Sequence, residues 1–155
     1  MNNINNLIGK NILIFDLETS GLPEKKKGFY KNPIDEYYEP NDFEKYDGCR
    51  ILSMAYIYIK NFNYDNSKNL NLSNITEFFR KPLDNFNISE QSIKIHGITK
   101  EYALKNGIKL SRIIKSFSNI LAECDYIIGH NIIFDIMVLS SELLRMNFIS
   151  IALIK

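Results

Sequence analysis

The chain has 155 residues, of which 45% are hydrophobic and 24% charged, with a formal net charge of +1; this is about one domain of ordinary globular sequence and excludes collagen, coiled coil and intrinsic disorder. No run longer than nine residues lacks a charge, against the roughly 18 that a membrane-spanning helix needs, and Met1 to Lys10 has no basic start ahead of an apolar run, so a soluble intracellular protein of cytoplasm or nucleus is expected. Two cysteines and two histidines are too few for a disulfide framework or structural zinc, and the near-neutral charge requires any nucleic-acid binding to rest on a local site.

Asn11 to Glu18 is a short apolar run ending in acid, followed by Thr-Ser-Gly-Leu-Pro, and reads as a buried strand with its acids at the carboxyl end. Pro23 to Gly48 shows neither helical nor strand period and reads as a long loop or insertion, about 23–48 in a single domain spanning 1–155. Arg50 to Lys60 has strand composition, Asn61 to Asn69 is rich in turn formers, and Asn74 to Arg80 can return as the second strand of a hairpin. From Ser89 the period changes. Ser89 can cap a helix through Ile95 that Gly97 ends, and Thr99 can cap another through Lys105, with Gly107 at the place of a helix C-terminal glycine. Ser111 to Glu123 has helical spacing, Tyr126 to Gly129 reads as a brief buried strand, Ile132 to Met146 as a helix, and Phe148 to Ile154 as a final strand. Strands alternating with helices behind an antiparallel hairpin give an α/β fold.

Asp16 and Glu18 are two apart on a strand, so both side chains leave one face and repel unless a cation or a proton intervenes. They form either a metal site or a strained pair, or they solvate a strand end. Their position beyond a strand's carboxyl end is where ligands gather in open α/β sheets, and hard oxygen donors select Mg²⁺ or Mn²⁺. Asp135, amid Ile132, Ile133, Phe134, Ile136 and Met137, is either on a polar stripe near the helix N-terminus or buried with a compensating partner.

Phe15 to Leu22, FDLETSGL, resembles the first motif of the DEDD 3′→5′ exonuclease superfamily, in the branch that contains the proofreading subunit of bacterial DNA polymerase III. Ile95 to Thr99, IHGIT, resembles a spacer element of that branch, and Ile128 to Asp135, IGHNIIFD, its second motif. The resemblance implies an RNase H-like fold, a central mixed sheet flanked by helices. It implies that Asp16, Glu18 and Asp135 are catalytic metal ligands for a two-ion site of Mg²⁺ or Mn²⁺. Thr19, Ser20, Gly21, Leu22 and Asn131 become substrate-binding residues, with Leu22 packing on a base. The activity implied is removal of nucleotides from the 3′ end of single-stranded or frayed DNA or RNA as 5′-monophosphates, in repair or proofreading, with a polymerase or replication protein as partner.

The pattern breaks after Asp135. The branch has a further acid, with a histidine five residues before it as general base, whereas Ile136 to Lys155 contains neither His nor Asp and only Glu142 as an acid. A missing base forgoes on the order of 10²- to 10⁴-fold in rate. The expectation is a chain truncated at its C-terminus, through truncation, a split gene or a fragment; the alternative is an inactive nucleic-acid-binding or partner-binding remnant. His130 matches the second motif and is expected to be hydrogen-bonded beneath the site, and His96 to pack or to contact substrate. The 23–48 segment holds five Lys against seven acids with six Tyr or Phe. It reads as a solvated loop, with its lysine-rich half as a candidate clamp for a single strand.

Overall fold

The computed structural model describes residues 4–68, 70, 74–83 and 86–148. Four strands, β1 (Ile12–Thr19), β2 (Ile51–Ile59), β3 (Thr76–Phe79) and β4 (Tyr126–Ile128), form one mixed sheet in the order β3-β2-β1-β4. β2 runs antiparallel to both β1 and β3, and β4 lies parallel to β1. The odd residues of β1, Leu13, Phe15 and Leu17, turn to one face with Met54 and Tyr56. They are covered there by the apolar stripes of α4 (Leu110–Glu123) and α5 (Ile132–Arg145), with Phe117 wedged 5.5 Å from Phe15 and 5.4 Å from Tyr56. Such fully buried side chains stabilise the fold by roughly 1.5–3 kcal/mol each. On the other face Leu52 packs with Phe86, Ile88, Ile98 and Ala103, which brings in α2 (Glu90–His96) and α3 (Lys100–Asn106). No helix among the described residues is long and apolar enough to cross a membrane.

Local chemistry sets most element ends. Ser89 Oγ accepts from Ser92 N at 3.0 Å to start α2, and the left-handed Gly97 stops it. Thr99 Oγ1 accepts from Tyr102 N at 3.1 Å to start α3. Gly107 departs from expectation, since its φ of −82° is extended rather than left-handed. It is required by close approach instead, because a Cβ there would run into the backbone of Arg80, Lys81 and Ala103, where Ile108 pairs with Arg80 as a parallel bridge. Gly107→Ala is therefore expected to cost about 1–3 kcal/mol by overpacking, read as a lower urea midpoint with an unchanged slope.

Three other segments differ from the sequence reading. Within Asn61 to Asn69 a short helix, α1 (Tyr64–Lys68), begins where Asn63 Oδ1 accepts from Asp65 N at 3.0 Å. β4 is not buried: it is the sheet edge among the described residues, so alternation leaves Tyr126 and Ile128 43% and 42% exposed and turns only Ile127 toward the core. The 23–48 segment lacks regular strands and helices apart from two 3-10 turns, Pro33–Glu36 and Phe43–Tyr46, yet it is not wholly solvated. Tyr37 and Tyr46 are buried against Met137 of α5, and the Tyr46 hydroxyl donates to Tyr38 O at 2.7 Å. The expected strand from Phe148 to Ile154 lies, beyond Phe148, outside the described residues.

Candidate active site

The carboxyl end of β1 carries an irregularity. Glu18 pairs with Ser53 but Thr19 pairs with Ile51, so Leu52 is an extra residue on β2, and the bulge turns the chain out of the sheet at the acids. Asp16 and Glu18 leave the same face, Asp16 exposed and Glu18 half-buried. α5 delivers the third acid. Asp135 is 2% exposed, and its Oδ1 accepts from Leu17 N, the backbone amide between the two β1 acids, at 2.9 Å. Burial pushes the Asp135 carboxyl up to about 7, with the Asp16 and Glu18 charges adding to the rise and the Leu17 amide opposing it. Glu18 is raised too, by burial first, with Asp16 and Glu77 adding and His96 opposing. Glu77 comes from β3, opposite Ala55 on the strand between, and nothing in its local sequence marks it.

Beside Glu18 opens a cleft of about 480 Å³, walled by Thr19, Gly21, Leu22, Ile95, His96 and Phe134 among others. Its floor is tied tightly. Thr19 Oγ1 donates to Gly21 O at 2.8 Å, and a Cβ on Gly21 would stand 2.5 Å from Gly48 O, so only glycine lets the two loop segments touch. His96 binds through both ring nitrogens. Nδ1 accepts from Ile98 N at 3.0 Å, which fixes the proton on Nε2, and Nε2–H donates to Thr19 O at 3.1 Å. The ring thus pins the end of α2 to the end of β1. Leu22, 78% exposed, and Ile95, 76% exposed, offer apolar surface at the rim.

The remaining expected residues fall elsewhere. Ser20 is buried; its Oγ donates to Gly48 O at 3.1 Å and accepts from Arg50 N at 2.9 Å, and it lines a neighbouring cavity rather than the cleft. Asn131 occupies the N-cap position of α5 in the left-handed conformation, exposed and without a capping bond, and is not part of the cleft wall. His130 is exposed, with no hydrogen bond among the described residues, which corrects the expectation of a bonded residue beneath the site. It stands in the turn after the exposed edge strand, where no other element covers it. Of the expected set, the structure brings Asp135 onto β1 beside Asp16 and Glu18, and gathers Glu18, Thr19, Gly21 and Leu22 along one cleft.

Whether these residues fit a divalent ion has two parts. The donor chemistry fits: three hard carboxylates, one of them buried and bonded to a backbone amide instead of a cationic side chain, with its carboxyl pushed to about 7. The assembled geometry is not there, since among the described residues no three His, Cys, Asp or Glu side chains stand close enough to hold a metal ion.

A second charged cluster, which sequence reading missed, buttresses the site. Glu142 of α5 is 2% exposed and holds Arg50 through Nε at 2.7 Å and Nη2 at 3.0 Å, and Arg80 through Nη1 at 2.6 Å. Burial acts to raise the Glu142 carboxyl, but the Arg50 bonds and the Arg80 charge outweigh it and leave it below the ordinary range. The signal was available: Glu142 sits between Ser141 and Leu143 on a mostly apolar helix, as Asp135 does between Phe134 and Ile136.

With this geometry in place, solved structures supply a comparison. Exonuclease I from Methylocaldum szegediense matches 83% of the chain and 22% of its own length with a TM-score of 0.56 and 19% identity. The zinc-bound E. coli exonuclease I complex with single-stranded DNA matches 83% of the chain and 22% of its own length with a TM-score of 0.57 and 20% identity. The metal-free form of that complex gives 0.56 and 20% over the same shares. The fold is the RNase H-like one found in exonuclease I. The chain spans less than a quarter of the length of these structures, and at such identity the likeness shows the fold alone. No family model matches the sequence, and no curated protein matches it as a relative.

Proposed function

We propose that the chain is a metal-dependent 3′→5′ exonuclease domain that hydrolyses phosphodiester bonds at the 3′ end of single-stranded or frayed DNA or RNA and releases nucleoside 5′-monophosphates. The observation that carries this reading is the buried Asp135 carboxylate held on Leu17 N, between Asp16 and Glu18, beside an open cleft at a strand's carboxyl end. Asp16, Glu18 and Asp135 would hold Mg²⁺ or Mn²⁺, which when bound supplies Lewis-acid polarisation of the phosphate and a water acidic enough to attack it. The chain's own part is positioning. Leu22, Ile95 and Phe134 give apolar walls for a terminal base, while Thr19 and Gly21 bring backbone close to its sugar. His96 holds that backbone in place through both its ring nitrogens. The motif likeness supports placement in the branch of the polymerase III proofreading subunit, and with it a replication or repair partner.

A second reading, a remnant that binds nucleic acid or a partner without turnover, is favoured by one observation: among the described residues no three His, Cys, Asp or Glu side chains stand close enough to hold a metal ion. One assay separates the two. A 5′-labelled oligonucleotide is expected to shorten stepwise from its 3′ end only with Mg²⁺ or Mn²⁺ present, and Asp16→Ala is expected to lower the rate at least a hundredfold, an order typical of removing one group that stabilises the transition-state charge. Binding without shortening, even in Mn²⁺, selects the remnant; shortening that survives EDTA or Asp16→Ala overturns the proposed site.

A further inference from the structure

The 23–48 segment is acidic as a whole, with five Lys against seven Asp or Glu, but its charges are not evenly spread in space. Lys25 pairs with Glu36 at 2.9 Å and Lys45 with Glu24 at 2.8 Å, and Arg145 pairs with Asp47 at 2.7 Å. Asp35 accepts from Asn32 Nδ2 at 3.2 Å. The rings of Tyr37 and Tyr38 are engaged as well, Tyr37 beneath Lys25 at 4.7 Å and Tyr38 beneath Lys45 at 5.1 Å. Asp35, Glu39, Asp42 and Glu44 also make no ion pair among the described residues, but none of them lies in the tip, Lys27-Gly28-Phe29-Tyr30-Lys31, which contains no acid. Lys27 and Lys31 are exposed and make no ion pair among the described residues, and Phe29 is 96% exposed between them. The tip is shaped rather than loose: Gly28 takes a φ of +146°, and the Tyr30 hydroxyl donates back to Lys27 O at 3.2 Å.

The tip also has a fixed relation to the cleft. The chain leaves the cleft at Leu22 and is clamped by Glu24 N to Lys45 O at 2.9 Å and Lys26 N to Glu36 O at 2.8 Å. The base of the loop rests on α5 through Tyr37, Tyr46 and Met137. Seven residue steps carry the chain from Leu22 to Phe29, a reach of at most about 25 Å, which is the length of roughly seven stacked nucleotides of one strand. Resting on the exonuclease reading above, we propose that this tip is an upstream subsite for single-stranded DNA: Phe29 stacks on a base within about seven nucleotides of the 3′ end, and Lys27 and Lys31 neutralise flanking phosphates. Two lysines around an exposed ring, in a stretch without an acid, are the combination that single strands recognise, because every base has a stacking face and every linkage a negative charge.

The test is fluorescence anisotropy with 5′-fluorescein-labelled dT4 and dT12 in Ca²⁺, comparing the parent chain with Lys27→Ala/Phe29→Ala/Lys31→Ala. All three side chains are exposed, and circular dichroism of the variant checks that the fold is kept. The parent is expected to bind dT12 more tightly than dT4. The variant is expected to lose roughly ten- to a hundredfold on dT12 and nothing on dT4, and its plot of log affinity against log salt should flatten by about 1.4 for two lost phosphate contacts. Equal affinity of parent and variant for dT12 overturns the subsite and leaves the exonuclease reading standing. So does an equal loss on both lengths, or a self-association in gel filtration that the variant abolishes. A parent that binds neither oligonucleotide overturns the exonuclease reading, and the subsite with it.

Discussion

Asp135→Asn is expected to make the metal-free protein more stable at pH 8 while removing its nuclease activity. The folded-state carboxyl is pushed to about 7 by burial, against about 3.9 in an unfolded chain. Between those values the folded state holds a proton that the unfolded state has lost. The stability contributed by protonated Asp135 is therefore fully present below about pH 4, declines as pH rises, and is gone above about pH 7. A gap of about 3 pH units corresponds to at most about 4 kcal/mol. Asparagine keeps an Oδ1 to accept from Leu17 N, which now bonds Asp135 at 2.9 Å, and it never ionises. Its new Nδ2 needs an acceptor, which trims the gain, so an increase of roughly 1–3 kcal/mol at pH 8 and little change at pH 4 is expected. Urea titrations at both pH values measure this, and equal behaviour of parent and variant at both would show that Asp135 does not carry a buried charge. Millimolar Mg²⁺ or Mn²⁺ should raise the parent's melting temperature at pH 8 and leave the variant's nearly unchanged, because the ion binds through the charge that the substitution removes.

The candidate acids were readable because they break a pattern. Asp16 and Glu18 end an apolar run, and Asp135 interrupts another, which marks them as candidates while leaving open that they only solvate a strand end or a helix stripe. The caps of α2 and α3 were legible for a similar reason, since Ser89, Gly97 and Thr99 act on residues three or four positions away. What stayed hidden depends on residues far apart in the chain. Tyr37 and Tyr46 sit in a segment without period, and only the passage of α5 beneath them buries their rings. Gly107 has the sequence setting of a helix-ending glycine, but the backbone at Arg80 and Lys81 decides its role. His130 and Asn131 are part of the motif that flags the site, yet the turn that holds them faces outward from an edge strand. A motif reports which residues occur together; the direction each side chain takes is set by neighbours the motif does not include.

The same distance effect governs the remaining prediction, that Glu142→Ala is among the most damaging single changes in the chain. Glu142 bonds residues 92 and 62 positions away, Arg50 and Arg80, and joins α5 to the residue that precedes β2 and to the residue that follows β3. Removing it leaves Arg80, 4% exposed, with Ile51 O at 3.4 Å and the face of Phe86 as its remaining neighbours, a buried cation without a counterion. Breaking a buried pair in this way costs about 3–5 kcal/mol, a large part of the 5–15 kcal/mol by which domains are typically stable. Removing both buried ends is a different matter, since Arg50 is more exposed than its partners and can turn its head to water. Arg80→Met/Glu142→Leu is therefore expected to recover most of the loss, and a urea midpoint for Glu142→Ala close to that of the parent would dispose of the buried triad. The consequence reaches the site, because Glu142 stands seven residues after Asp135, two turns along the same face of α5 and about 10 Å away. One acid fastens the helix to the arginines and the other hands its carboxylate to Leu17 N. Loosening the first is expected to open the packing around the second, and because burial is the main cause of the rise at Asp135, the fall of stability between pH 4 and pH 7 in Glu142→Ala should shrink along with the midpoint.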